Sequence, residues 1–347
     1  MVLKVSRRGE VSPFIVMDVM RQANDMEAEG EKVLHMEVGQ PSTGAPVGVI
    51  KTLKKILGKE VLGYTDAFGI SELRNKIAGH YSDWYNLTID PANILVTTGS
   101  SGAFVLSFLA AFDAGDSVAI ACPGYPAYRN ILVALGIKVV DIPVDKETNF
   151  QPTAALLDNL QSSRGLSIDG LIIASPSNPT GTMLKAEDLR DLSLYCEKNG
   201  IRLISDEIYH GITYGVPAQT ARAFSKQSIV VNSFSKYFSM TGWRLGWLVI
   251  PDNLLRAAEC LAQNLFISAP TVSQVAALAV FDCHDELQAN VRRYARNREI
   301  LLSSLPRAGL QDLAASDGSF YIYASVGHLT NDSAVFCKRM LMETGIA

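Results

Sequence analysis

The sequence predicts an α/β layered fold, with a mostly parallel seven-stranded sheet covered by helices on both faces. Three observations carry this. Short apolar runs recur from about residue 93 and end in Gly, Pro, Ser, Asn or Asp. They lack clear polar alternation, which marks strands buried on both sides. Segments of helical spacing separate several of them.

Taken in order, residues 14–29 have helical spacing, with Ile15, Val19 and Met26 as inward positions. LHMEVGQPSTGAP reads as a short strand entering a Gly/Pro loop. The seven runs then follow at 93–99, 117–124, 137–144, 170–181, 202–209, 228–236 and 245–251. Only a few residues join the last two, which predicts one antiparallel strand at the sheet edge. After residue 252 three helical segments come in succession, the last long and charged. Residues 316–326 read as one or two strands, and SAVFCKRMLMETG reads as a helix with no strand after it. The expected division is an N-terminal arm with part of a small domain (1–45), a large domain (46–285) and a C-terminal small domain (286–347).

The 347 residues are 48% hydrophobic and 19% charged, with a net charge of −4. That composition belongs to a globular chain, and its acidity argues against nucleic acid as the main partner. Cys122, Cys196, Cys260, Cys283 and Cys337 are scattered and odd in number, so free thiols in a reducing compartment are expected. The longest strongly apolar stretch, Ala103 to Phe112, is too short to span a bilayer. The N-terminus has no apolar run behind its basic residues, unlike a signal peptide. The expectation is a soluble, cytoplasmic protein. No metal site is expected, because the adjacent residues Cys283, His284, Asp285 and Glu286 do not converge on one ion.

The informative residues stand at strand ends, where open α/β sheets bind ligands. The main signal is Lys236 in SFSKYFSMTGWRLGW. A lysine in aromatic surroundings loses its proton more readily and becomes a nucleophile. Ser233, Ser235 and Arg244 nearby could grip a phosphate. Together they suggest a phosphorylated aldehyde cofactor bound covalently; a surface lysine with a structural arginine is the alternative.

Asp206, after the run RLIS, could hold a pyridine nitrogen protonated, or could cap a helix. Tyr209 could bond the ring oxygen, while Glu207 and His210 read as solvated or packed loop residues. Asn178 in SPSNPTG could donate to the same oxygen, although NPTG is also a common turn. Ser100 and Ser101 open an apolar helix whose N-terminus suits an anion, or they merely cap it. Tyr125 could stack on a planar ring or pack in the core. Any one of these can arise by chance; five strand ends suited to one cofactor hardly can.

These motifs, SPSNPTG, SDEIY and SFSKYFSMTGWRLGW, resemble the class I/II pyridoxal-phosphate-dependent aminotransferases from about residue 11 onward. The resemblance implies an aspartate-aminotransferase-like, fold-type I structure: a three-layer α/β/α large domain with a smaller α+β domain. It implies that Lys236 binds the aldehyde of pyridoxal 5'-phosphate and that Asp206 pairs with the ring nitrogen. Asn178 and Tyr209 would bind the 3-oxygen, and Tyr125 would stack on the ring. Ser100, Ser101, Ser233, Ser235 and Arg244 would hold the phosphate. Tyr64 would reach the neighbour's site across a homodimer, and the Gly39 N–H would face the substrate carboxylate, with Asn178 beside it.

The activity implied is transfer of an amino group from an L-amino acid to a 2-oxo acid, with 2-oxoglutarate as acceptor, by a ping-pong route. Lys236, Asp206 and Tyr209 would be the catalytic residues. A carbon–sulfur β-lyase or related elimination enzyme, and a non-catalytic ligand-sensing domain, are the alternatives. The family's arginine for the substrate carboxylate falls in a segment beyond Ala347. Arg292, Arg293, Arg296, Arg298, Arg307 and Arg339 read instead as helix-surface charges, so a longer form is expected to turn over faster.

Overall fold

The computed structural model describes residues 3–347. Helix α1 (Ile15–Ala28) leads into α2 (Val47–Ile56) and α3 (Ser71–Tyr85). Strands and helices then alternate: β1 (Ile94–Thr97), α4 (Gly99–Ala111), β2 (Ser117–Cys122), α5 (Pro126–Leu135), β3 (Lys138–Pro143) and α6 (Ala154–Arg164). The alternation continues through β4 (Gly170–Ala174), α7 (Ala186–Lys198) and β5 (Arg202–Asp206) to β6 (Ile229–Ser233) and β7 (Gly246–Val249). The chain finishes in helices α8 (Leu255–Leu265), α9 (Thr271–Ala277), α10 (His284–Ser304) and α11 (Ser333–Thr344).

The strands form one sheet in the order β1-β7-β6-β5-β4-β2-β3. Every neighbouring pair is parallel except those made by β7, which runs against both β1 and β6. The antiparallel strand therefore lies inside the sheet, not at the expected edge. The short β6–β7 connection does force a reversal, but β1 adds itself outside β7 and takes the edge.

Residues alternate between two cores. Val96, Leu171, Ile173, Leu203, Val230 and Trp247 face one core with residues of α3, α7 and α9. Leu95, Ile172, Ile204, Val231 and Leu248 face the other with residues of α4, α5 and α8. Apolar side chains on both faces explain why the runs carried no polar alternation.

The periphery departs from expectation in several places. Ile15 points outward, 61% exposed, and the buried position of α1 is Ala23. The stretch 34–38 makes only one isolated bridge, Leu34 with Ile346. Residues 316–326 make bridges through Gly318 and Ala324 and no regular strand, because turns at 318–320 interrupt the run. The residues after α11 pair with the chain at 34–36: Leu34 N–H donates to Gly345 O at 2.7 Å, and Ala347 N–H donates to Leu34 O at 3.1 Å. Strand-like pairing thus follows the last helix, where none was expected.

Candidate active site

The ends of β1, β2, β4, β5 and β6 lie along one edge of the sheet, since all five strands run the same way. Asp206 closes β5 and is buried, 3% exposed. Ile208 N–H donates to its Oδ1 at 3.0 Å, and the Tyr128 hydroxyl donates to its Oδ2. Burial pushes its pKa up to about 6, against the pull of those two bonds and of Lys236. The turn after β5 brings Tyr209 back beside it, fully buried.

Lys236 follows β6. Its Nζ donates to Gly39 O at 2.5 Å and lies 5.8 Å and 5.9 Å from the ring centres of Tyr209 and Phe320. Burial lowers its pKa to about 8, with Asp206 opposing and Arg244 assisting. The weakly polar setting read from the sequence is therefore built from aromatic faces on two separate segments.

The loop after β4 carries Asn178, whose Nδ2 donates to the Tyr321 hydroxyl at 3.3 Å. That hydroxyl lies 2.7 Å from the Tyr209 hydroxyl, and burial lifts the Tyr321 pKa to about 12. A Cβ placed on Gly39 would overlap the Tyr321 oxygen, so glycine at 39 leaves room for the phenol. Tyr125 follows β2 and meets Tyr128 and Phe14 edge-on, with ring centres 5.3 Å and 5.7 Å away.

The candidate anion grip forms where two distant segments meet. Thr98 supplies no side-chain cap to α4, so the N–H groups of its first turn are not taken by that residue. Ser100 is half-buried there and Ser101 exposed. The Arg244 guanidinium lies against Gly99, and its Nη1 donates to Thr241 O at 3.0 Å. Gly246 permits the approach: a Cβ on it would lie 2.9 Å from Gly99 C and 3.0 Å from Ser100 N. Ser233 is buried, and its proton is engaged by Leu245 O at 3.1 Å, with Ser235 Oγ 2.9 Å away.

Lys236, Asp206, Tyr209, Asn178, Tyr125 and Gly39 thus converge, with Arg244 and the start of α4 alongside. Tyr64 stands apart, 84% exposed on the loop before α3. Residues 31–347 match the family model for class I and II aminotransferases.

The chain belongs to the class I and II aminotransferases.

One relative in this family is the valine–pyruvate aminotransferase of Mycobacterium tuberculosis, 46% identical over 99% of this chain and 89% of the relative. A solved aminotransferase from the same organism superposes with a TM-score of 0.96 at 46% identity, covering 100% of this chain and 89% of the other. The aspartate aminotransferase of Thermus thermophilus with maleate superposes with a TM-score of 0.92 at 26% identity, covering 100% and 91%. The chain has the aspartate-aminotransferase-like, fold-type I architecture.

Two further residues touch this cluster that the sequence does not single out. Tyr128 lies three residues past Tyr125, one helical turn on, and that spacing could have flagged it. Tyr321 carries no such signal, because its role depends on a fold-back from a distant segment. Arg298 also differs from expectation. It is half-buried, its Nε donates to Ser316 O at 2.6 Å, and its guanidinium covers the Tyr214 ring at 5.1 Å. Glu207 and His210 are packed, not solvated. Glu207 receives Thr220 Oγ1 and Ala221 N–H at 3.0 Å and 2.9 Å, and His210 bonds Tyr85 at 2.6 Å and Ser175 O at 2.9 Å.

Among the described residues no group of three or more His, Cys, Asp or Glu could hold a metal ion. No helix among them is long and apolar enough to cross a membrane. The donor set suits a phosphorylated pyridine aldehyde: an amine of lowered basicity, a buried carboxylate, paired hydroxyl and amide groups, an aromatic ring and an anion grip.

Proposed function

We propose that this aminotransferase uses pyridoxal 5'-phosphate to move the amino group of a neutral L-amino acid to a 2-oxo acid by a ping-pong route. The observation that carries the reading is Lys236, an amine of depressed basicity between aromatic faces and close enough to Asp206 to feel its charge. The cofactor supplies an aldehyde that condenses with amines and a ring that withdraws electrons from the substrate Cα.

The chain's own residues do the rest. Lys236 Nζ would hold the cofactor's aldehyde group, and as a free amine it would move the substrate Cα proton. A pKa near 8 leaves a useful fraction of the amine neutral at physiological pH. Asp206 keeps the ring nitrogen protonated, and Tyr128 and Ile208 keep Asp206 ionised. Asn178 and Tyr209 donate to the 3-oxygen, and Tyr125 covers the ring. The first turn of α4 with Ser100, Ser101, Ser235 and Arg244 holds the phosphate, and buried Ser233 steadies Ser235 by accepting its N–H at 3.0 Å. The Gly39 N–H and Asn178 face the substrate carboxylate.

In this reading the chain is a cytoplasmic homodimer in which Tyr64 reaches the neighbour's phosphate; its exposure beside Val61, 97% exposed, favours such an interface. Pairing of 34–36 with 345–347 supports a small unit built from 1–45 and 286–347, around a large unit over 46–285. The apolar faces beside Lys236 favour a neutral donor side chain, and the 46% identical relative named for valine and pyruvate favours pyruvate as acceptor. The 2-oxoglutarate expected from the resemblance is the competitor.

Borohydride reduction followed by peptide mapping should give a pyridoxyl group on Lys236. In the unreduced enzyme, valine alone should yield one equivalent of its oxo acid, and added pyruvate should restart turnover faster than 2-oxoglutarate. A thiol, ammonia and pyruvate released from a thio-amino acid, in place of the donor's own oxo acid with its nitrogen retained, would instead assign an elimination enzyme. Full transamination by Lys236→Ala would end the reading.

A further inference from the structure

We propose that Tyr321 is a positioning residue: it takes an N–H from Asn178 and gives its own proton to Tyr209, leaving the Tyr209 hydroxyl proton for the cofactor's 3-oxygen. This rests on the pyridoxal phosphate reading and deepens it. A tyrosine hydroxyl carries one proton and two lone pairs, whereas the Asn178 nitrogen can only donate. The 3.3 Å contact therefore makes the Tyr321 oxygen an acceptor. The remaining contact is the 2.7 Å approach of the Tyr209 oxygen, which can run either way.

If Tyr209 donated, Tyr321 would accept twice and its own proton would find no acceptor among the described contacts. Backbone lies on the other side, where the oxygen abuts the Gly39 Cα. With the 3-oxygen taking the Tyr209 proton, running the chain as Asn178 to Tyr321 to Tyr209 leaves no donor unmet in a buried setting, where an unmet hydroxyl is costly. The second N–H of Asn178 remains free, so the amide serves the same oxygen from the other side.

A donor aimed at the 3-oxygen stabilises its anionic form. That weakens the oxygen's hold on the neighbouring cationic nitrogen, whose proton then leaves at lower pH. The visible band of the bound cofactor reports that proton. Asp206, Lys236 and Tyr125 also face this point, so the test must separate Tyr321 from them.

The experiment is a pH titration of the visible band in the cofactor-loaded chain and in Tyr321→Phe, Tyr209→Phe and the double variant. Tyr209→Phe should raise the midpoint by about one pH unit or more. Tyr321→Phe should raise it by about half a unit. The double variant should exceed Tyr209→Phe by much less than the half unit of Tyr321→Phe, because only the contact with Asn178 is then left for Tyr321 to act through. A lowered melting temperature with an unmoved midpoint in Tyr321→Phe would leave only a packing role and overturn the proposal. Additive shifts in the double variant would overturn it as well. A wild-type chain with no visible band would overturn the cofactor reading along with it, which distinguishes the two failures.

Discussion

Removing the Tyr128 hydroxyl tests what keeps Asp206 ionised. Burial lifts this carboxylate from 3.8 to about 6, and the Tyr128 hydroxyl is foremost among the groups that limit the rise. A hydrogen bond to a charged group contributes about 1.5–3 kcal/mol. At ~1.4 kcal/mol per pH unit, Tyr128→Phe should raise the Asp206 pKa by about 1–2 units. Folding already favours the neutral acid here, because the folded value lies above the unfolded one. The stability this confers is complete below 3.8 and is lost as pH rises through about 6. The variant deepens that loss and moves its completion to higher pH. Its melting temperature should therefore lie close to wild type at pH ~5 and well below it at pH ~8.5. An equal melting deficit of the cofactor-free chain at both pH values would refute this account of Asp206.

Gly39→Ala puts a methyl where the Tyr321 oxygen lies, so cofactor affinity should fall by roughly tenfold or more, and Gly39→Ala with Tyr321→Phe should recover part of it in a fluorescence titration. Glu207 is pushed up to about 8, chiefly by burial, so its favourable neutral form is lost as pH rises through that value. Glu207→Gln should melt near wild type at pH ~6 and above it at pH ~9; a loss at the higher pH would contradict this. Arg244→Lys keeps the charge but loses the paired donors beside Gly99, and should weaken pyridoxal phosphate by roughly tenfold without moving the visible-band midpoint.

The sheet was legible because each strand is a short apolar run punctuated by a turn residue, and that pattern is local. The candidate residues at its ends could be placed for the same reason: Asp206 closes β5, and Lys236 comes shortly after β6. What the sequence could not display is reach. Tyr321 meets Tyr209 and Asn178 only after a distant segment folds back, and no spacing rule encodes that. The position of β7 was misread because a short connection reveals direction but not neighbours. Tyr128 needs only helical periodicity, since it lies one turn past Tyr125 on α5. At the periphery, Ile15 sits on an apolar stripe that one chain leaves uncovered.

The order of the sheet sets a schedule for synthesis. β1 emerges early, yet its sheet partner is β7, encoded far downstream, and the first turn of α4 settles against Gly246 of that same late strand. A nascent chain thus carries half of its anion grip unmated until the ribosome has passed Val249. Capture of the proposed cofactor should therefore come late, and a chain stalled before that point should hold a phosphate more weakly than the finished one.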